Sequence, residues 1–447
     1  MADWPEVSLS ELVEIAIGGL WGSETPTAKE DTPVRVIRGV DAHKMSQRDA
    51  VDLPIRWVTA KQIANRTLCV GDVVLEASGA CGRSYVIRDS DVRGKPTPVS
   101  FSNFSRRLIP NAKVEPAYLG YRLKQAYESG EIAAYVTGTA MPNLDVHSAL
   151  AGISINLPPL QKQRDIAGIL GALDDKIEQN RRLSATLETM ARALFQSWFV
   201  DFDPVRAKVE GRQPVGMDAA TATKFPASFE DSALGPIPTG WDVATLGDVL
   251  TTLETGRRPK GGVASITSGI PSVGAESING IGVFDYSKTR YIPEDFYERT
   301  TSGRVTDFDV LLYKDGGKPG EFRPRVGMYG LGFPFVKFSI NEHVFRMRAE
   351  RLGQPFLYFL VSSYRVLEDF ANKGGKAAIP GINQPDVKST LIVLPSRELL
   401  EKYNDLCLQF CETILRYASE SQSLSEVRDN LLPQLLNGKL PVEDVPA

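Results

Sequence analysis

Apolar residues recur at alternating steps of three and four along two long stretches of the chain, a period that predicts helix and not strand. The first stretch runs from about Pro159 to Phe199 and opens at Leu157-Pro158-Pro159. One seam takes Ile166, Leu173, Asn180, Leu187 and Leu194, with Leu170, Ile177, Ser184, Ala191 and Trp198 between them. The second stretch, from about Ser396 to Asn437, repeats this with Tyr403, Phe410, Tyr417, Leu424 and Leu431, interleaved by Cys407, Ile414, Ser421, Arg428 and Leu435. Asn437-Gly438 and then Pro441 close it, as helix stop signals. Spacing kept over about five heptads predicts a coiled coil, and two helices buried in a bundle is the competing reading. Length favours the coiled coil: about forty residues at ~1.5 Å each reach roughly 60 Å, beyond the diameter of a small domain, which suits a spacer. The polar seam members Asn180, Ser184 and Ser421 weaken the seam but can fix its register.

Away from these helices the pattern breaks into short strand-like runs between Gly and Pro turns, and it does so twice. WPEVSL (Trp4 to Leu9) lines up with WDVATL (Trp241 to Leu246), 237 residues on. VGDVVLEASG (Val70 to Gly79) meets FDVLLYKDGG around Asp309 at the same offset. So do Leu157-Pro158 with Leu394-Pro395, Ile177 with Ile414, Leu187 with Leu424, and Leu194 with Leu431. PNLD at Pro142 meets PGIN at Pro380 one residue out of step. Agreement at both ends and in the middle makes this an internal repeat, which sets the fold. The expected organisation is a globular region over 1–155, a long helix over 156–200, a Pro/Gly/Ala-rich connector over 201–240, a second globular region over 241–393 and a second long helix over 394–440. The fold class is mixed α/β (α+β), with two pseudo-symmetric globular domains separated by two long antiparallel coiled-coil helices. Such an arrangement suits a target with two half-sites at fixed separation, and because one chain holds both halves the target need not be palindromic.

Composition changes little in this picture. A chain of 447 residues is too long for one ordinary core, and 42% apolar with 24% charged residues is globular. It has no run of about eighteen apolar residues, and MADWPEVSLSELVEI carries acids where a signal peptide has a basic head, so a cytoplasmic protein is expected. The net charge of −4 means that any nucleic-acid role must use local patches. Cys69, Cys81, Cys407 and Cys411 are too few and scattered for a disulfide framework. Cys407 and Cys411 are one helical turn apart, but with no histidine near them they read as buried apolar thiols and not as metal ligands.

TGTAMPNLDVHSALAGISINLPPLQKQRDIAGILGALDDKIEQNRRL (Thr137 to Leu183) resembles the central conserved region of the specificity (S) subunits of type I restriction-modification systems. GGLWGSETP (Gly18 to Pro26) resembles their early Gly-Gly-Thr-Pro loop with an insertion, RYIPEDF (Arg290 to Phe296) and GDVVLEASG resemble segments of their target-recognition domains, and FVDFDPVRAKVEGRQPVGMD (Phe199 to Asp218) looks like their connector. The second half departs from the pattern: KAAIPGINQPDV lacks the TGTA and LPSRELLEKYNDL lacks the EQR. The resemblance implies two target-recognition domains, each reading one half of an asymmetric bipartite site in double-stranded DNA, with the helices setting the gap. It also implies two methyltransferase (M) subunits that bring S-adenosylmethionine, and a restriction (R) subunit that brings ATP and Mg. Independently, roughly 60 Å of helix corresponds to about eighteen base pairs, enough for two short half-sites and a gap.

No catalytic signature appears in the chain. KDGGKPGE and NKGGKAAI have the wrong spacing for a phosphate loop, Pro385-Asp386 has no Glu-x-Lys after it, no Asn-Pro-Pro-aromatic motif occurs, and His43, His147 and His343 are isolated. The expectation is a chain that is not an enzyme by itself and holds no cofactor or metal. Base reading uses Arg, Lys, Asn and Gln on loops, with further cations on phosphates. The candidates in the second globular region are Arg257, Arg258 and Lys260 of TGRRPKGG, then Lys314, Lys318, Arg323 and Arg325 of YKDGGKPGEFRPR. In the first they are Arg35, Arg38 and Lys44, then Arg83 and Arg88, then Arg106 with Arg107. Solvated charged loops are the plain alternative. Phe195, Trp198 and Phe199, matched by Leu432, Leu435 and Leu436, exceed what one seam can bury and predict packing against the connector or a methyltransferase subunit. The helix-helix and partner interface is thus expected at Ile166, Leu170, Leu173, Ile177, Leu187, Leu194, Trp198, Phe410, Ile414, Leu424, Leu431 and Leu435. A coiled-coil scaffold whose globular domains bind protein is the rival function, and the duplicated basic loops favour the DNA reading.

Overall fold

The computed structural model describes residues 4–46, 51–316, 320–375 and 380–445. The chain forms two compact units, Met1–Glu178 with Ser423–Ala447, and Gln179–Gln422. The two long helices are Leu160–Phe199 and Arg397–Leu436, each of 40 residues, so each unit contains part of both.

The first unit is built on a four-stranded antiparallel sheet with strand order Val13–Gly18, Ser105–Pro110, Val73–Glu76, Ser84–Val86. Beside it lies a three-stranded sheet in which Thr32–Ile37 pairs antiparallel with Ile55–Val58 and parallel with Val99–Phe101. Val73, Val74 and Leu75 are all buried, and strand alternation sends them to different cores. Val73 and Leu75 join the cluster of Leu108, Tyr118, Leu123, Ile166 and Leu170, whereas Val74 packs with Ile37, Tyr85 and Phe101.

The second unit repeats the plan. Its larger sheet runs Thr252–Thr255, Val344–Arg348, Val310–Tyr313, Val326–Met328, Gly280–Ile281, and its smaller one Arg290–Ile292, Ile270–Val273, Ser339–Ile340. Register repeats with topology: Val73 faces Leu108 as Val310 faces Met347, and Val7 faces Ile155 as Ala244 faces Ile392. The turn before the central strand repeats as well. The Asp72 carboxylate accepts the Cys69 N–H at 2.6 Å and pairs with Arg107 at 2.7 Å, and the Asp309 carboxylate accepts the Thr306 N–H at 2.7 Å and pairs with Arg346 at 2.5 Å. Both acids are buried, which is tolerable only because each charge is paired.

Amide side chains tie the helices to the globular parts. Gln163 accepts the Glu115 N–H at 2.7 Å and donates to Pro158 O at 2.8 Å; Asn404 accepts the Phe356 N–H at 3.0 Å and donates to Leu352 O at 2.7 Å. The second helix ends where Gly438 turns left-handed (φ 62) and Lys439 N–H reaches back to Gln434 O at 2.9 Å, a Schellman stop. Within the second unit Asn180 donates to Glu420 at 2.9 Å, and Tyr403 donates to the Ala191 carbonyl at 3.0 Å, so the helices run antiparallel. In the first unit Ile166 and Leu170 pack with Leu432 and Leu435, and Arg428 pairs with Asp174 at 2.6 Å.

Burial along the second helix is wider than a seam. Tyr403, Cys407, Cys411, Ile414 and Leu415 are buried while Phe410 and Tyr417 are half-buried, because the second globular core covers a further face. Leu173, Ile177, Leu187, Leu194, Leu424 and Leu431 are also half-buried. The aromatic patch is a core and needs no partner subunit to cover it. Trp198 sits edge-on to Phe225 of the connector at 5.4 Å, and Phe199 meets Phe356 at 5.0 Å and Tyr403 at 5.2 Å. Of the two coverings expected for this patch, connector or methyltransferase subunit, the connector is the one found at Trp198, and Leu435 is buried in the core of the first unit. Cys407 and Cys411 are fully buried thiols, and burial pushes Cys407 up to about 12. Among the described residues no helix is long and apolar enough to cross a membrane.

Candidate nucleic-acid interface

In each unit the central strand runs out into a loop that two other segments clamp. In the first unit Ala77 N–H donates to Phe104 O at 2.8 Å, Leu144 N–H to Ala77 O at 2.8 Å, and Gly79 N–H to Pro142 O at 3.2 Å. In the second, Lys314 N–H donates to His343 O at 3.1 Å, Ile382 N–H to Lys314 O at 2.7 Å, and Gly316 N–H to Pro380 O at 2.9 Å. Bridges Ser78 to Asn143 and Asp315 to Gly381 complete the match. The early Gly loops close on the same frame. A Cβ on Gly19 would lie 2.1 Å from Ser102 O, and one on Gly256 1.6 Å from Ile340 O, so only glycine lets the loop cross the strand there.

The same backbone carries opposite chemistry. In the second unit an ionic chain links the two basic loops singled out above: Arg258 pairs with Glu342 at 2.7 Å, Glu342 lies 3.4 Å from His343 Nε2, His343 Nδ1 meets Asp315 at 2.5 Å, and Asp315 pairs with Lys314 at 2.6 Å. In the first unit the corresponding positions are Trp21, Asn103, Phe104, Ser78 and Ala77, none of them charged. Trp21 and Phe104 are 44% and 52% exposed. Ser78 donates to Asn143, and Arg56 stacks on Trp21 at 4.5 Å.

The remaining basic candidates separate into free and engaged groups. Arg257 and Lys260 are exposed and make no hydrogen bond or ion pair among the described residues. Arg323 is exposed and pairs with the neighbouring Glu321. Arg325 is held by Asn279 at 3.0 Å and Ala275 O at 2.8 Å and lies over Tyr313. Lys318 lies outside the described residues. In the first unit Lys44 is exposed and Arg35 half-buried on its strand. Arg38 grips the buried Asp41 through two bonds of 2.6 and 2.9 Å, and that hydrogen-bonded pairing raises its pKa. Arg106 is turned onto the carbonyls of Asn103 and Ser105. Arg107 is a correction: with its side chain 12% exposed and paired with Asp72, it holds the core. Arg83 and Arg88 line a cleft of about 310 Å³ beside Tyr85, Tyr121 and Tyr127, where Arg83 bonds the Tyr127 hydroxyl at 3.2 Å. Asp315, Glu342, Phe104 and Trp21 were not singled out from sequence. A search for cations passes over acids and rings, and only the repeat offset carried forward across the insertions would have paired them.

Fold and loops define a duplicated mixed α/β protein with two long paired helices, and comparison with known proteins gives the class a name. Residues 1–189 match the family described as type I restriction modification DNA specificity domain. The chain is 22% identical to the type I restriction enzyme MjaIX specificity subunit of Methanocaldococcus jannaschii over 99% of this chain and 95% of that protein. It is 25% identical to the HindI specificity subunit of Haemophilus influenzae over 84% of this chain and 88% of that one. The crystal structure of a type I S subunit from M. genitalium shares the fold at a TM-score of 0.52 and 14% identity, covering 97% of this chain and 96% of that chain. Residues 1–189 thus carry a type I restriction modification DNA specificity domain, and the chain is similar to type I specificity subunits along nearly its whole length.

Proposed function

We propose that the chain is the DNA-reading subunit of a type I restriction-modification complex, each unit reading one half of an asymmetric bipartite site while the paired helices set the gap. The observation that carries this is the repeated loop frame with divergent side chains: one scaffold, two recognition surfaces. Arg257 and Lys260 supply phosphate contacts, since an unpaired exposed cation is free to displace counterions. Arg258, Lys314, Arg323 and Arg325 in the second unit, with Arg35, Arg38, Lys44, Arg83 and Arg106 in the first, are candidates for positioning or base contacts. The chain works in the cytoplasm as a non-catalytic subunit without a cofactor of its own. Two methyltransferase subunits bring S-adenosylmethionine, and a restriction subunit brings ATP and Mg.

The test is to co-express the chain with the methyltransferase subunit of its own genome and map methylated adenines by long-read sequencing. A bipartite motif with fixed gap is the expected result. A soluble complex that adds no methylation would favour the scaffold reading. Removing one heptad from both helices should change the gap, and an unchanged gap would remove the spacer role.

A further inference from the structure

Resting on that reading, we propose that the five paired loop positions, and not the free cations, determine which bases are read: the second unit's set reads a G·C pair and the first unit's an A·T pair. Acids are the first argument. Asp315 and Glu342 on a DNA-facing loop are repelled by phosphates, so a loop selected only for affinity would lack them. What a carboxylate does well in the major groove is accept from the cytosine amino group, while Arg and Lys donate to guanine O6 and N7. Two cations and two acids compensate one another in the Arg258 to Lys314 chain, so the set adds directional contacts with little net attraction.

The first unit supplies the second argument. Phe104 stands where His343 does, on the same backbone hydrogen bond, and is half exposed. An exposed ring gains by meeting the thymine methyl, and the neighbouring exposed Asn103 can bond adenine N6 and N7 together. A purely structural clasp would need the same chemistry in both units, and the frame stands in the first unit without it.

The variant D315S/H343F gives the second unit the side chains that the frame already carries in the first. Purified complexes of wild type and variant with the methyltransferase subunit are used to select from a random duplex library, and adenine methylation is mapped in parallel. The expected result is one half-site unchanged and preference at a G·C pair of the other relaxed roughly tenfold. Both halves unchanged, or preference weakened evenly at every position, overturns the proposal. A wild type that selects no bipartite site removes the functional reading and this assignment with it. Should D315S/H343F not assemble, Phe104→Ala decides from the exposed side: it relaxes an A·T pair in the other half, or the proposal falls.

Discussion

The two units differ least where they are buried and most where their central strands run out. Asp72 with Arg107 and Asp309 with Arg346 are the same device in the same turn. One strand-length away, Ala77, Ser78 and Phe104 face Lys314, Asp315 and His343 across the repeat. A buried charge has few alternatives to its partner, because an unpaired one costs several kcal/mol, whereas a solvent-facing loop side chain on a fixed backbone can change with little effect on stability. Core devices are thus held in common while the loop surface is free to diverge.

Breaking the shared device gives the largest expected effect. Asp309→Ala and Asp72→Ala should each destabilise their own unit by about 3–5 kcal/mol in urea unfolding. The second unit should lose more, because Asp309 also holds Arg348 at 2.6 Å. A smaller loss there would break the equivalence. Next come the crossing glycines: Gly256→Ala and Gly19→Ala should each lower stability by roughly 1–3 kcal/mol, with the closer approach in the second unit making Gly256 the worse of the two.

Binding sharpens the comparison further. Replacing Arg257 and Lys260 with Ala should leave assembly intact and make the dependence of log affinity on log salt shallower by about 1.8. Trp21→Ala should leave that slope unmoved, and a changed slope would count against a neutral first surface. The smallest effect is chemical. At pH 8 a thiol reagent should label the exposed Cys69 of the first unit, while Cys407 and Cys411 of the second stay protonated and buried until that unit opens. Native labelling of Cys407 would mean that the second unit opens more readily than its core implies.

The helices were legible because a 3.6-residue period is local and forty residues of it leave little choice. Legible too was the duplication, since anchors such as Trp4 with Trp241 keep one offset. For Trp198 the sequence left two coverings open, the connector or a partner subunit, because amphipathic excess shows that a face is covered but not by what; Phe225 of the connector covers it. Among the basic residues, charge was readable and engagement was not, as Arg107 and Arg257 show.

What the sequence determined by itself is therefore what depends on near neighbours and on repetition: two long helices, two similar globular regions and the resemblance to a family. Tertiary structure alone decided which side chains share the loop frame, because Ser78, Phe104 and Asn143 lie far apart along the chain and meet only through strand register. Insertions between the repeats shift the numbering by one or two residues, and a single residue of register reverses the face a side chain presents.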